Sequence, residues 1–329
     1  MNQRIALLAI LLVSAVAVFF AERVVPQPTP SPQALLHLVG DAERDMMRVP
    51  VSLAPLSDEE ERSIGDETAR KYLGMQDAYG PEDELIAQYV SEVGAALAKS
   101  ASRKLHYQFH YVVQAGFVNA FALPGGHVFV GKGLLMLMDT EDELASVLGH
   151  EIEHVELRHC ADRAQMQSRL SGTPLRELLF IPIAIFQAGY SKEQELEADR
   201  DGVKLAVAAG YSADGAVAMF QRWEKLESEV RRVEKARRQR SVLDLPAEIA
   251  NVVVLDSLIG YFASHPPPQE RLVAIERLIA EQGWKPGPQR GLRMQISPAA
   301  HRAYVGIKGR QAFGIAGAVQ VVHDPAGVL

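Results

Sequence analysis

Two histidines and a glutamate within five residues form the strongest chemical signal in the sequence. Residues 150–154 read His-Glu-Ile-Glu-His, on a helix that we expect to begin near residues 139–141. Because each helical residue advances about 100°, His154 lies about 40° from His150 and one turn along. Both imidazoles can therefore bind one metal ion, while Glu151 projects close enough to hold a water molecule and act as a general base.

Chance explains this pentapeptide poorly. The histidine and glutamate content of the 329 residues predicts roughly 0.02 copies of it by chance. The other interpretation is a purely structural pair of histidines on one helix face. Metal binding is the stronger of the two interpretations.

His159 is the nearest candidate for the third protein ligand that a catalytic zinc site needs. It lies nine residues after His150, so a continuing helix turns it about 180° away, onto the far face. It also misses the metzincin spacing, in which the third histidine comes six residues after the second. We therefore expect His159 to be a solvated or capping residue.

A cluster of acidic residues about forty positions after the histidines is a better source of the third ligand. Residues 192–201 read Lys-Glu-Gln-Glu-Leu-Glu-Ala-Asp-Arg-Asp, and they offer carboxylates on a second helix that can pack across the first. Carboxylates four residues apart share a helix face. Spacing therefore leaves two choices, Glu193 with Glu197 or Glu195 with Asp199.

The elements that must position these residues are mainly helical. Capping and periodicity predict helices over residues 56–73 and 81–99, and alternation predicts a half-buried strand over residues 106–113. A second short strand is expected at residues 128–130, and the chain reads as mainly helical from there to about residue 282. We therefore expect an α+β fold, mainly helical, with a small β-sheet beside the helix that carries the histidines.

Composition restricts the classes of partner and of metal site. The formal net charge is −7 without a long basic stripe, so we expect no nucleic-acid partner. Apolar residues make up 48% of the chain, which excludes disorder as its main state. Cys160 is the only cysteine, which excludes an intramolecular disulfide and a cysteine-rich metal knuckle. Any metal must therefore be held by histidines and carboxylates.

The amino terminus contains a segment that is typical of a membrane protein. Residues 5–21 are 17 residues without a charge, a length between a signal-peptide core and a spanning helix. We favour an uncleaved anchor, with Arg4 placing the amino terminus in the cytoplasm. The alternative is a signal peptide cleaved after residues 15–17. The proline-rich stretch at residues 26–32 predicts an extended spacer.

Four motifs, in order, resemble a known family of zinc metallopeptidases. The histidine pentapeptide is followed by Glu-Leu-Glu-Ala-Asp at residues 195–199, which is similar to the family's E-x-x-A-D motif. Asn-Ala-Phe-Ala-Leu-Pro-Gly-Gly at residues 119–126 and Ser-His-Pro-Pro-Pro-Gln-Glu-Arg at residues 264–271 resemble two further signatures. The family is the one grouped with the CAAX prenyl protease and HtpX. The lack of multiple apolar spans in the sequence favours its BepA-type and Oma-type branch.

The resemblance implies a gluzincin-like metallopeptidase domain with one Zn²⁺ per chain. Its ligands would be His150, His154 and Glu195, with Asp199 orienting a ligand histidine. Zinc would polarise the scissile carbonyl and activate a water molecule. Glu151 would take the proton and later pass it to the leaving amine.

The resemblance also implies two features outside the metal ligands. His265 would lie near the metal, either as an inhibitory plug or as an oxyanion donor, and we favour the plug. The edge of a short strand would bind extended peptides through main-chain hydrogen bonds, the alternative being an ordinary hairpin. The residues of that edge would be Asn119, Ala120, Phe121 and Ala122.

These signals divide the chain into four predicted parts. They are an anchor or signal peptide at residues 1–25, a proline-rich linker at 26–55, a zinc metallopeptidase domain at 56–285 and a C-terminal extension at 286–329. The expected location is the bacterial inner membrane, as a single-pass protein with its catalytic domain in the periplasm. A protein that is soluble in the periplasm after signal cleavage is the alternative.

The resulting hypothesis is a zinc-dependent endopeptidase that degrades misfolded or unassembled envelope or membrane-associated proteins. The alternative is a chaperone or scaffold that binds unfolded envelope proteins with little turnover. Glu151 beside both histidines favours the enzyme, because a scaffold needs no general base.

Overall fold

The computed structural model describes residues 55–114, 116–170, 189–238 and 267–293, with the backbone alone at 166–170 and 233–238. The predicted anchor, the proline-rich stretch and most of the C-terminal extension lie outside these ranges. None of the described helices is long and apolar enough to cross a membrane. Within the described ranges the chain forms eight helices and three strands: α1 (Asp58–Leu73), α2 (Pro81–Ala98), β1 (Gln108–Val112), β2 (Ala120–Leu123), β3 (His127–Gly131), α3 (Lys132–Leu135), α4 (Glu141–Glu156), α5 (His159–Leu170), α6 (Lys192–Ala208), α7 (Asp214–Arg238) and α8 (Pro268–Gln282).

The expected fold class, mainly helical α+β with a small sheet, is confirmed. The two predicted amino-terminal helices correspond to α1 and α2, and the two predicted strands correspond to β1 and β3. Helix starts follow the local capping chemistry. Ser57, Thr140 and Ser191 each accept a hydrogen bond from the backbone three residues on, at the starts of α1, α4 and α6.

β3 is the central strand of the sheet. It pairs in parallel with β1 and antiparallel with β2, so β2 is an edge strand. The turn between β2 and β3 requires positive φ angles at Gly125 and Gly126, of 79° and 108°. α1 covers this turn closely, because a Cβ on Gly65 would lie 1.9 Å from the carbonyl oxygen of Pro124. α1 therefore supports the hairpin that β2 and β3 form.

α4 is the central helix of the domain. It packs against α2, α6, α7 and β2. Its fully buried apolar side chains are Leu144, Ala145, Leu148, Ile152 and Val155. A helix that is buried on several faces cannot rotate or slide without opening the core. α4 therefore supplies a rigid support for the polar groups that it carries.

The first turn of α4 is acidic and buried, and each carboxylate has partners from distant elements. Asp142 accepts N–H hydrogen bonds from Ser212, at 2.7 Å, and from Arg290 in the segment after α8. Glu143 pairs with Arg222 of α7 at 2.7 Å. Negative charge at a helix N-terminus is also favoured by the helix dipole. The start of α4 is thereby joined to α7 and to the segment after α8.

α4 and α6 cross at a pair of glycines. A Cβ on Gly149 would lie 2.7 Å from the carbonyl oxygen of Gly202, and a Cβ on Gly202 would lie 2.7 Å from the backbone nitrogen of His150. Contacts this short are not available to ordinary residues. The two helices therefore approach more closely than any larger side chain at these positions would permit.

We expect Gly202→Ala to destabilise the protein, because the added methyl group must push α6 away from α4. The free energy of unfolding, measured with urea, should fall by about 1–3 kcal/mol. Gly74→Ala is the matched control, since Gly74 is helical and a Cβ there would meet its neighbours no closer than 3.4 Å. An equal stability of the two variants would contradict the proposed tightness of the crossing.

Candidate metal centre

The structure brings three donor side chains together where α4 crosses α6. The Nε2 atoms of His150 and His154 are 3.0 Å apart. Glu195 Oε2 lies 3.5 Å from His150 Nε2, and Glu195 Oε1 lies 3.8 Å from His154 Nε2. All three residues are buried, and their donor atoms lie within 4.8 Å of one another. Two imidazoles and one carboxylate are a donor set that suits catalytic zinc, so these residues fit a metal ion.

The charges of the centre favour a cation between the imidazoles. Burial lowers the pKa of His154 well below its ordinary value, and the charge of His150 lowers it further. Burial also disfavours a charged His150, but hydrogen bonds to Asp199 and Glu195 outweigh it and raise the pKa to about 10. The two carboxylates thus stabilise one positive charge at this point. A bound metal ion supplies such a charge.

Asp199 and Arg271 hold the first histidine in orientation. Asp199 Oδ1 lies 2.9 Å from His150 Nδ1, which leaves Nε2 directed at the centre. Arg271 of α8 donates two hydrogen bonds to the Asp199 carboxylate, at 2.7 and 2.6 Å. Burial would raise the pKa of Asp199, but the Arg271 charge outweighs it and keeps the pKa low. The family resemblance predicted that Asp199 orients a ligand histidine. It gave no role to Arg271, which ends the motif at residues 264–271.

The prediction that His159 lies on the far face of the helix, as a solvated or capping residue, is wrong. His159 is buried, and its Nδ1 lies 2.9 Å from Nδ1 of His154. α4 ends at Glu156, and Arg158 adopts a positive φ of 61°, so the chain turns back and His159 begins α5 beneath the centre. Burial lowers the pKa of His159 to about 4, which keeps this imidazole neutral. No local sequence signal predicted the end of the helix.

Tyr190 is a second residue that sequence reasoning missed. Its ring stacks on His154 at 4.0 Å between centroids, and the Arg163 guanidinium covers the ring at 3.8 Å. The backbone N–H of Tyr190 donates to Glu195 Oε1 at 2.8 Å. Tyr190 therefore restricts the orientation of two of the three donor side chains, His154 through its ring and Glu195 through its backbone N–H.

Glu151 is buried next to the metal centre. Burial raises its pKa to about 7, and the Glu195 charge contributes to the increase. A carboxyl group with a pKa near neutrality can both accept and release a proton, as a general base requires. It borders a cleft whose walls are otherwise mostly apolar, formed by Ala120, Leu134, Val147, His150, Met219, Trp223 and Arg271.

The edge of β2 lies beside this cleft. Gly131 donates its N–H to the Asn119 carbonyl at 2.9 Å, so by antiparallel alternation Phe121 bonds to β3 while Ala120 and Ala122 direct their backbone groups away from it. The Ala120 N–H donates to the Asn119 side chain at 2.9 Å. Of the four residues predicted to bind peptides, Ala120 and Ala122 therefore supply the outward-facing main-chain groups.

His265 lies outside the described residues. Its role near the metal stays a prediction.

The fold and the centre define the catalytic domain of a metallopeptidase. Two histidines one turn apart meet a glutamate from a second helix, and a buried carboxyl group of raised pKa stands beside them. The model of peptidase family M48 matches residues 84–279, which is more than half of the chain, and the chain belongs to this family. Family membership confirms the predicted metallopeptidase class.

Curated relatives include proteins of both predicted branches. The chain is 32% identical over 207 residues to the beta-barrel assembly-enhancing protease of Yersinia pestis, covering 55% of this chain and 40% of that protein. It is 29% identical over 177 residues to the same-named protease of Escherichia coli K12, covering 47% and 36%. It is 29% identical over 169 residues to the mitochondrial metalloendopeptidase OMA1 of Schizosaccharomyces pombe, covering 47% and 48%. The chain thus spans less than half the length of these relatives, and the predicted resemblance is confirmed.

We expect Asp199→Leu to destabilise the protein strongly, because it leaves the buried Arg271 guanidinium without its bidentate partner. The free energy of unfolding, measured in chelator, should fall by about 3–5 kcal/mol. Glu197→Leu is the control on the same helix, where a half-exposed carboxylate contributes about 1 kcal/mol or less. The double variant Asp199→Leu with Arg271→Met should be more stable than Asp199→Leu alone. Equal losses for Asp199→Leu and Glu197→Leu would contradict this assignment.

Proposed function

We propose that this chain is a zinc-dependent endopeptidase that cleaves misfolded or unassembled envelope proteins. The observation that carries the proposal is the convergence of His150, His154 and Glu195 beside the buried Glu151. Family membership supports a metal-dependent peptidase. The names of the bacterial relatives, beta-barrel assembly-enhancing proteases, support an envelope substrate.

His150, His154 and Glu195 are the proposed ligands of one Zn²⁺ per chain. Two nitrogen donors and one oxygen donor suit zinc and leave a position open for water or substrate. When bound, zinc supplies a Lewis acid for the scissile carbonyl and acidifies the attacking water. The hydrogen bond from His150 Nδ1 to Asp199 supports this assignment, because it keeps Nε2 available for the metal.

Glu151 is the proposed general base. Its carboxylate takes the proton of the attacking water and passes it to the nitrogen of the leaving amine. Burial raises the pKa of Glu151 to about 7, which matches both steps near neutral pH. The same feature favours an enzyme over a chaperone or scaffold, because binding alone does not need a buried carboxyl group beside a metal.

The edge of β2 is the proposed binding site for the substrate backbone. The Ala120 N–H is bonded to the Asn119 side chain and the Ala122 carbonyl accepts from the Cys160 thiol. The Ala120 carbonyl and the Ala122 N–H are therefore the groups that we propose for an extended peptide, and Ala120 also borders the cleft that contains Glu151. Recognition through the main chain does not depend on the substrate sequence. It requires an extended segment, which an unfolded or unassembled protein exposes and a folded one does not.

The domain plan and location are parts of the same proposal. We place the peptidase domain at residues 56–285, behind an anchor or signal peptide at 1–25 and a linker at 26–55, in the periplasm. For the extension at 286–329, the contact of Arg290 with Asp142 supports a start that is packed on the domain. His265 lies six residues before Arg271, which reaches the centre from α8, and this supports a position near the metal. A plug remains the role that we propose for it, with an oxyanion donor as the alternative.

Glu151→Gln tests the general base. We expect the purified full-length variant to retain about one zinc per chain, while its rate of casein cleavage falls by about 10²–10⁴-fold, because an amide cannot accept the proton. Wild-type protein with and without a chelator serves as the reference. Undiminished cleavage by the variant would refute the role of Glu151, and chelator-insensitive cleavage by the wild type would refute the metallopeptidase mechanism.

Glu195→Ala tests the third ligand, with Glu197→Ala as its control on the opposite face of α6. Glu195 is fully buried between the two histidines, whereas the side chain of Glu197 is 43% exposed and pairs with Arg200. Zinc content per chain, measured on the folded proteins after dialysis, should fall strongly for Glu195→Ala and remain at the wild-type level for Glu197→Ala. Equal zinc contents would remove Glu195 from the ligand set.

A further inference from the structure

The second ring nitrogen of His154 has a histidine as its partner. Nδ1 of His154 lies 2.9 Å from Nδ1 of His159, and both side chains are buried. We propose that His159 is a positioning residue that accepts the Nδ1 proton of His154 and thereby holds the Nε2 atom of His154 on the metal. This proposal rests on the metal site proposed above.

The direction of the hydrogen bond follows from the metal. A neutral imidazole that coordinates through Nε2 carries its proton on Nδ1. Two nitrogens 2.9 Å apart share one proton, so His154 is the donor and His159 Nδ1 is the acceptor. The remaining proton of His159 is then on its Nε2, which faces Glu197 Oε2 at 3.8 Å.

A contact between α1 and Arg158, which are distant in the sequence, helps to place His159 beneath α4. Arg158 adopts a left-handed conformation that ordinary residues rarely use. Its guanidinium donates to the buried Glu61 and, at 2.7 Å, to Asp58, both on α1. These ion pairs hold the reversal between α4 and α5. α1 therefore helps to fix the position of His159.

Each donor of the centre is then oriented by a different group. Asp199 orients His150, the Tyr190 N–H holds Glu195, and His159 holds His154. Because the acceptor His159 is neutral, it adds no further negative charge to the Glu195 and Asp199 carboxylates that are already buried there. Orienting partners of this kind typically change metal affinity by 10–100-fold when they are removed.

Two polar substitutions of similar character distinguish positioning from packing. The amide of His159→Asn can place an acceptor oxygen near the position of Nδ1, whereas the amide of His159→Gln reaches the position of Nε2. We expect His159→Gln to bind zinc about 10–100-fold more weakly than the wild type, and His159→Asn to stay within about threefold of it. Zinc affinity is measured on full-length protein by competition with a chromophoric chelator.

Stability without metal is the second readout. Unfolding of both His159 variants by urea in chelator shows whether each is folded, so that a loss of zinc affinity in a folded variant is distinguished from a loss of structure. His110→Leu is the control, since His110 forms a similar contact with His127 at 3.0 Å outside the centre. It should change stability without changing zinc affinity.

Wild-type zinc affinity in His159→Gln would overturn the proposal, and so would an equal loss of affinity in the Asn and Gln variants. A wild-type protein that fails to bind zinc would instead refute the metal site itself.

Discussion

The metal centre depends on the close crossing of α4 and α6 at Gly149 and Gly202. Side chains of ordinary size keep packed helices about 8–10 Å apart, and glycine at both positions lets the two backbones meet directly. That approach brings Glu195 of α6 within 4 Å of both histidines of α4. The same helix face carries Asp199 to the other side of His150. One steric feature thus sets the ligand distances and the orientation of a ligand ring.

Burying so many ionisable groups is costly unless each has a partner, and the outer elements of the fold supply the partners. α8 contributes Arg271 to Asp199, and α7 contributes Arg222 to Glu143 at the start of α4. α1 contributes Glu61 to Arg158 at the other end of the same helix. Ion pairs with segments that are distant in the sequence therefore hold both ends of α4. A ligand helix restrained in this way presents its histidines in one arrangement.

The cleft beside the metal centre is lined by Glu151 and by the edge strand β2. Its lining combines Glu151 and His150 with Ala120 of β2 and with apolar side chains from α4 and α7. β2 is positioned by pairing with β3 and by the contact of α1 with the turn at Pro124. The sheet thus places its edge strand β2 in contact with α4 and beside the cleft.

The sequence by itself determined the features that depend on local geometry. Helical periodicity placed His150 and His154 on one face with Glu151 beside them, and capping and alternation predicted α1, α2, β1 and β3. Spacing reduced the third ligand to two pairs of acids, and the family resemblance implied Glu195. The packing of α6 on α4 is what places Glu195 at the histidines and leaves Glu197 near the surface. His159 was misplaced because the helix ends where Arg158 meets Glu61, a residue 97 positions away. Periodicity gives the angle between residues within one helix. Where that helix stops, and which face of another helix it meets, is decided by contacts between segments that are distant in the sequence.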